Sequence, residues 1–221
     1  RQARFYGTVV NLAIANDWMH KNPFAGIRFQ EKEVIREVLT KEEIERMMCK
    51  EFALPRLEYV RDVFIFCVFT GMAYVDVNNL RQEHIVRDNN DDLWIRKARQ
   101  KTNNMCNIPL LKIPQLLMEK YKNHPLCTKT GALLPVPSNQ KMNSYLKEIA
   151  DFCGIQKNLT THTARHTFAT VVALANGVSM ENIAKMLGHS DIRMTQRYAK
   201  VMDSSIMRDM ENVDKLFKSS E

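Results

Sequence analysis

The apolar positions change their spacing several times along the chain, and those changes divide it into elements. Phe5, Val9, Leu12, Ala13 and Trp18 recur at roughly helical intervals and predict a helix over 1–20 that ends before Asn22-Pro23. One helix cannot build a core, so residues 1–24 read as the last helix of an upstream domain. Residues 22–37 run Pro, Gly and mixed charge, which suits an interdomain linker, placed at 25–37. Thr40 followed by Glu43 is a capping-box pattern that opens a helix through Met48. Residues 57–70 are strongly apolar, as in a buried helix, and Gly71 is placed to end it. A short helix is expected over 75–80.

Strand signals then take over. Residues 84–87 and 93–97 flank Asn89-Asn90-Asp91-Asp92, a hairpin signature, and 105–110 supply a third short strand. Helices are expected again over 114–121, 138–153, 163–175, 180–187 and 191–201. A last amphipathic helix is expected over 205–218, with Ile206, Met210, Val213, Leu216 and Phe217 on one side. The expected fold class is mainly α with a small antiparallel β-sheet (α+β), in one domain spanning 38–221.

Composition narrows the partners. At 221 residues with 45% apolar positions, the chain can form one large domain plus part of a second. Lys and Arg outnumber Asp and Glu by 32 to 25, a net charge of +7 that favours a polyanion. Basic globular proteins are common, so the motifs must decide. The five cysteines are scattered with no C-x-x-C pair, which argues against a disulfide framework or a zinc knuckle. Cys67, in an apolar run, reads as a core residue. A reducing cytosol suits such thiols, and a cytoplasmic location is expected. No apolar run approaches the ~18 residues of a membrane span, so no membrane partner is expected. The chain opens at Arg1 in helical-looking sequence, which suggests a fragment of a longer protein.

The chemistry concentrates between Thr160 and Tyr198. Thr161 is placed to cap a helix whose first turn holds His162, with Arg165 three residues on and on the same face. A guanidinium there can fork onto two oxygens of a phosphate, and His162 can hydrogen-bond that phosphate or accept a proton. Alone, the pair would read as a solvated Arg and a packed His. His166, one turn beyond His162, reads as support for the site or the packing. Gly177 should stop this helix and Ser179 cap the next. That one ends at Leu187-Gly188 and presents His189 in the turn, with Tyr198 on the following helix. Two imidazoles, a guanidinium and a phenol can activate and attack a phosphodiester with no metal and no cofactor.

These residues carry a resemblance. From about Thr40 to Lys200 the chain resembles the catalytic domain of tyrosine recombinases, the phage-integrase family. His162-Thr163-Ala164-Arg165 resembles the family's H-x-x-R box, Leu187-Gly188-His189 its L-G-H, and Thr195-Gln196-Arg197-Tyr198 its nucleophile segment. Thr70-Gly71 followed by Asp76 resembles the first box, in which an acidic residue supports the site. Lys101-Thr102 resembles its β-hairpin lysine. Residues 1–35 look like the end of its core-binding domain. The wording of 69–80 is closer to integrases of conjugative or mobilisable transposons than to phage ones.

One position departs from the pattern: the family's first catalytic arginine would fall at 73, where this chain has Ala73. Loss of one such donor typically costs ~3 kcal/mol, on the order of a hundredfold in rate. Arg61, on a largely apolar helix, is the candidate replacement; the alternative is that it reaches solvent or pairs with Glu58.

The resemblance implies a site-specific recombinase acting on double-stranded DNA. Tyr198 would attack the scissile phosphate to give a 3′-phosphotyrosyl link, Arg165 and His189 would stabilise the transition state, His162 would accept a proton or bind phosphate, Lys101 would protonate the departing 5′-oxygen, and Asp76 would hold the basic cluster. It also implies a homo-oligomer, a tetramer on DNA, joined through the 205–218 helix, with an accessory DNA-bending protein as a candidate partner. Three other readings stand beside it: a type IB topoisomerase-like strand transferase, a catalytically weakened DNA-binding regulator, and a phosphohydrolase.

Overall fold

The computed structural model describes residues 2–26 and 37–199. The expected helix over 205–218 and most of the linker lie outside the described residues. The chain divides into two compact units, Arg1–Val34 and Ile35–Glu221. In the first, α1 (Gln2–Ala15) leaves Tyr6, Val9 and Leu12 exposed, as Trp18 beyond it also is. Such a surface is what a single helix without its own core must show.

The second unit is built around one buried helix. α2 (Lys41–Cys49) opens on Thr40 and Glu43, each side chain bonding the other's backbone N–H. α3 (Pro55–Thr70) starts with proline at its first position, where the missing N–H costs nothing. Leu57, Val60, Phe64, Phe66 and Val68 are wholly or almost wholly buried. A helix apolar all round must be covered all round. α2, α5 (Lys112–Tyr121), α7 (Asn139–Phe152) and α8 (Thr161–Thr167) surround it. Gly71 ends α3 at φ +68, and an added Cβ would stand 2.4 Å from a Phe168 ring atom. Both conformation and space require glycine there.

After the short α4 (Tyr74–Asn78) and a 3₁₀ turn at Gln82–His84 come β1 (Ile85–Arg87), β2 (Leu93–Ala98) and β3 (Met105–Pro109). They form an antiparallel sheet in the order β1-β2-β3, with Ile95 paired to Ile85 on one side and Ile108 on the other. Period two puts Ile95, Cys106 and Ile108 toward the core. The 3₁₀ turn takes up His84, so the first strand starts one residue later than expected.

Two departures from the sequence reading concern helices. α6 (Pro125–Thr130) is capped by the His124 ring and closed by Gly131, a six-residue element too short to show periodicity. The helix expected over 163–175 starts earlier, with Thr160 rather than Thr161 as its cap, and is not one regular helix. After α8 it widens to a π segment (Phe168–Ala173) and tightens to a 3₁₀ turn (Leu174–Asn176). π segments of this kind occur frequently at functional sites. α9 (Met180–Leu187) and α10 (Arg193–Ala199) complete the described unit. The overall class is the expected one, mostly helical with a small three-stranded antiparallel sheet. Among the described residues, no helix is long and apolar enough to cross a membrane.

Candidate active site

Arg165 is the hub. It is 6% exposed on α8 and donates from Nη1 to the Gly71 carbonyl at 2.7 Å and from Nη2 to the Leu187 carbonyl at 2.6 Å. One guanidinium thereby ties the C-terminal end of α3 to that of α9, at carbonyls a helix leaves without an internal partner. Burial, followed by repulsion from Arg99, pulls its pKa below the ordinary arginine value, although a guanidinium stays charged in proteins.

His189 follows Gly188, which caps α9 at φ +60. Its Nε2 lies 3.2 Å from Nη2 of Arg165, and its Nδ1 lies 2.8 Å from Oγ1 of the buried Thr195. Arginine can only donate, so Nε2 accepts and the ring proton sits on Nδ1, donated to Thr195. Burial, with the positive charges of Arg165 and Arg99, lowers the His189 pKa to about 4. The ring is therefore neutral at physiological pH.

Tyr198, half-buried on α10, stacks against His189 with ring centroids 6.2 Å apart and planes 9° from parallel. It also meets His166, with ring centroids 5.3 Å apart and a 54° tilt. Phe168, Ala169, Ile183 and Leu187 form the buried cluster beneath it. The segments that carry Arg165, His189 and Tyr198 thus converge within one domain.

A narrow cavity adjoins Arg165. Met72, Cys106, Ile108 and Met186 give it apolar walls, and Asp76, Lys97, Arg99 and Arg165 give it charge. Asp76 is buried on α4; its Oδ1 accepts the Gln100 backbone N–H at 3.0 Å and its Oδ2 lies 4.0 Å from Nε of Arg99. The Arg99 side chain is 10% exposed. Among the described residues, its Nε and Nη1 have no hydrogen-bond partner although both are buried. Leaving buried donors of a cation unsatisfied is costly unless an anion completes them. Lys97 is held by His84, with Nζ 3.0 Å from Nε2. Thr102 donates to the Gly188 carbonyl at 3.2 Å and so docks the β2–β3 turn onto the end of α9. Lys101, in that turn, and His162, in the first turn of α8, are exposed. Among the described residues, no group of three or more His, Cys, Asp or Glu could hold a metal ion.

With this geometry in hand, the comparisons with known proteins are specific. The sequence model of the phage integrase family matches residues 37–205. The chain belongs to the phage integrase family. A tyrosine recombinase XerD from Staphylococcus saprophyticus is 40% identical over 95 residues, covering 43% of this chain and 31% of that protein. The chain thus aligns with about a third of the length of the curated relative. Among solved structures, lambda integrase bound as a dimer to a core site aligns with TM-score 0.65 at 19% identity, over 85% of this chain and 68% of that one. The Tn1549 transposon integrase bound to transposon right-end DNA aligns with TM-score 0.63 at 18% identity, over 96% and 76% respectively. At these identities the structural likeness speaks for the fold alone.

The candidate replacement for the arginine absent at Ala73 lies elsewhere. Arg61 does not join the cluster. Its Nη1 donates to the carbonyls of Met47, Met48 and Lys50 at 2.8–3.0 Å, its Nε bonds Asp62, and the Phe52 ring lies 5.7 Å from its Cζ. It serves the carbonyl end of α2, which needs donors and attracts a cation. It lines a separate cavity with Asp62 and Lys120. Arg99, which the sequence reading passed over, occupies the cavity with Arg165 and Asp76. The signal was present: Ile95, Lys97 and Arg99 alternate along β2 and into the turn, and a period of two sends them to one face.

Proposed function

We propose that this chain is the catalytic part of a site-specific DNA recombinase that serves integration and excision of a mobile element through a 3′-phosphotyrosyl intermediate. The observation that carries this reading is the contact chain Tyr198–His189–Arg165: a phenol stacked on an imidazole that is hydrogen-bonded to a buried guanidinium.

In the proposed reaction, the Tyr198 phenol oxygen bonds to phosphorus as the bond from phosphorus to the 5′-oxygen breaks. The phenol proton passes to a base, for which exposed His162 is the candidate, and Lys101 protonates the departing 5′-oxygen. The number of ester bonds is conserved, so no energy source is consumed. Arg165 offers N–H groups to the developing phosphorane charge, and His189, bonded to Arg165 through Nε2, is read as holding that guanidinium in place. Arg99 is assigned the part that Ala73 cannot play, with Asp76 orienting it from 4.0 Å. Residues 38–221 are read as the catalytic domain, 25–37 as a linker and 1–24 as the end of a core-binding domain. The helix over 205–218 is proposed to join protomers into a tetramer on DNA. The basic surplus would grip DNA phosphates in a salt-dependent manner. The mobile-element role rests on the wording of 69–80, which resembles integrases of conjugative or mobilisable transposons.

A second reading, a regulator that binds DNA without cutting it, draws support from Ala73. Arg99, carrying unsatisfied donors inside the cavity, weighs against it. The two separate on a nicked duplex carrying a candidate recombination site. Covalent protein–DNA adduct in the native chain, absent in Tyr198→Phe, is the expected result. Salt-sensitive binding with no adduct would support the regulator instead.

A further inference from the structure

The reaction proposed above leaves His166 without a part, yet it touches the nucleophile. Its ring centroid lies 5.3 Å from that of Tyr198, within the range of favourable aromatic pairs. We propose that His166 is a positioning residue for Tyr198, its ring holding the phenol at the site together with that of His189. This rests on the reading of Tyr198 as nucleophile.

The argument comes from the register of α8. Arg165 and His166 are consecutive, so their side chains leave the helix about 100° apart. Arg165 turns inward to the Gly71 and Leu187 carbonyls, while His166 stays half-buried and meets α10. The helical turn that carries the proposed phosphate ligand therefore also carries a support for the attacking group. Tyr198 is referenced to Arg165 twice: through the His189 Nε2 contact at 3.2 Å, and through the backbone that joins Arg165 to His166. The apolar cluster of Phe168, Ala169, Ile183 and Leu187 gives α10 its footing, but aliphatic packing is non-directional. Two rings from different elements restrict the phenol's rotation as well as its depth, and attack on phosphorus demands alignment.

The test compares His166→Ala with His166→Phe, which keeps a ring. The rate of adduct formation in a single turnover and the affinity for nicked duplex are measured for each. Expected are a loss of about tenfold in rate for His166→Ala with affinity unchanged, and a near-native rate for His166→Phe. An unchanged rate in His166→Ala, or His166→Phe as slow as His166→Ala, would overturn the proposal. A readout without DNA uses fluorine NMR of fluorotyrosine-labelled protein, with the Tyr198 resonance assigned by its loss in Tyr198→Phe. That resonance is expected to move in His166→Ala while the other tyrosines stay in place; a fixed Tyr198 resonance overturns the contact. Failure of the native chain to form adduct would count against the recombinase reading, and the NMR comparison would still decide the role of His166.

Discussion

Arg99 and Asp76 form an ion pair at 4.0 Å inside the cavity that Arg165 also lines, joining the turn after β2 to the short helix α4. The contact links the residue that follows β2 to the box in which Ala73 stands, and among the described residues it leaves Nε and Nη1 of Arg99 without a hydrogen bond. Arg99→Ala is expected to slow single-turnover cleavage by about a hundredfold, the usual cost of one pre-organised donor. Combining it with Ala73→Arg should recover part of the rate, because a guanidinium would return to the family's position. An Arg99→Ala variant that cleaves at the native rate would remove Arg99 from the site.

Arg61 should behave as a structural residue. Removing it takes the donors from the α2 carbonyls in a largely buried setting and one partner from Asp62, which keeps Lys120 and Tyr121. Arg61→Leu is expected to cost about 3 kcal/mol in urea unfolding, while adduct formation per folded molecule stays close to native. A selective loss of cleavage without loss of stability would contradict this.

His189 makes a prediction about pH. Its folded-state pKa of about 4 lies below the ordinary histidine value of 6.5. Between those two values the unfolded chain binds more protons than the folded one, so stability falls as pH drops from about 6.5 toward 4. Above 6.5 this contribution is fully present. Chemical denaturation across pH 4–8 should show the decline, and His189→Gln should flatten part of it. An identical slope in that variant would mean other groups carry the effect.

Gly71 is expected to tolerate no side chain. Its positive φ and the Phe168 ring standing where a Cβ would go predict that Gly71→Ala destabilises the fold by about 3 kcal/mol. Its carbonyl also anchors Arg165, so residual folded protein should cleave slowly. Thermal melts and single-turnover assays on the same preparation separate the two effects.

Much of this was legible in one dimension. The apolar run 57–70 announced a buried helix, the Thr40/Glu43 pair its neighbour's cap, and the alternation around 84–110 a small sheet, because each depends on spacing along the chain. The order of the His162/Arg165, His189 and Tyr198 segments was equally readable. Only tertiary structure decided which arginine stands in the cavity. Sequence ranks Arg61 and Arg99 by local hydrophobic context, and Arg61 has the more apolar neighbours; burial says nothing about direction. Arg61 turns to carbonyls that α2 leaves unpaired, and Arg99 turns to a carboxylate 23 positions earlier in the chain. Likewise, nothing in the spacing of His162 and His166 shows which imidazole meets Tyr198. That outcome depends on how α10 packs across the π segment and α9, a contact between elements that local periodicity does not encode.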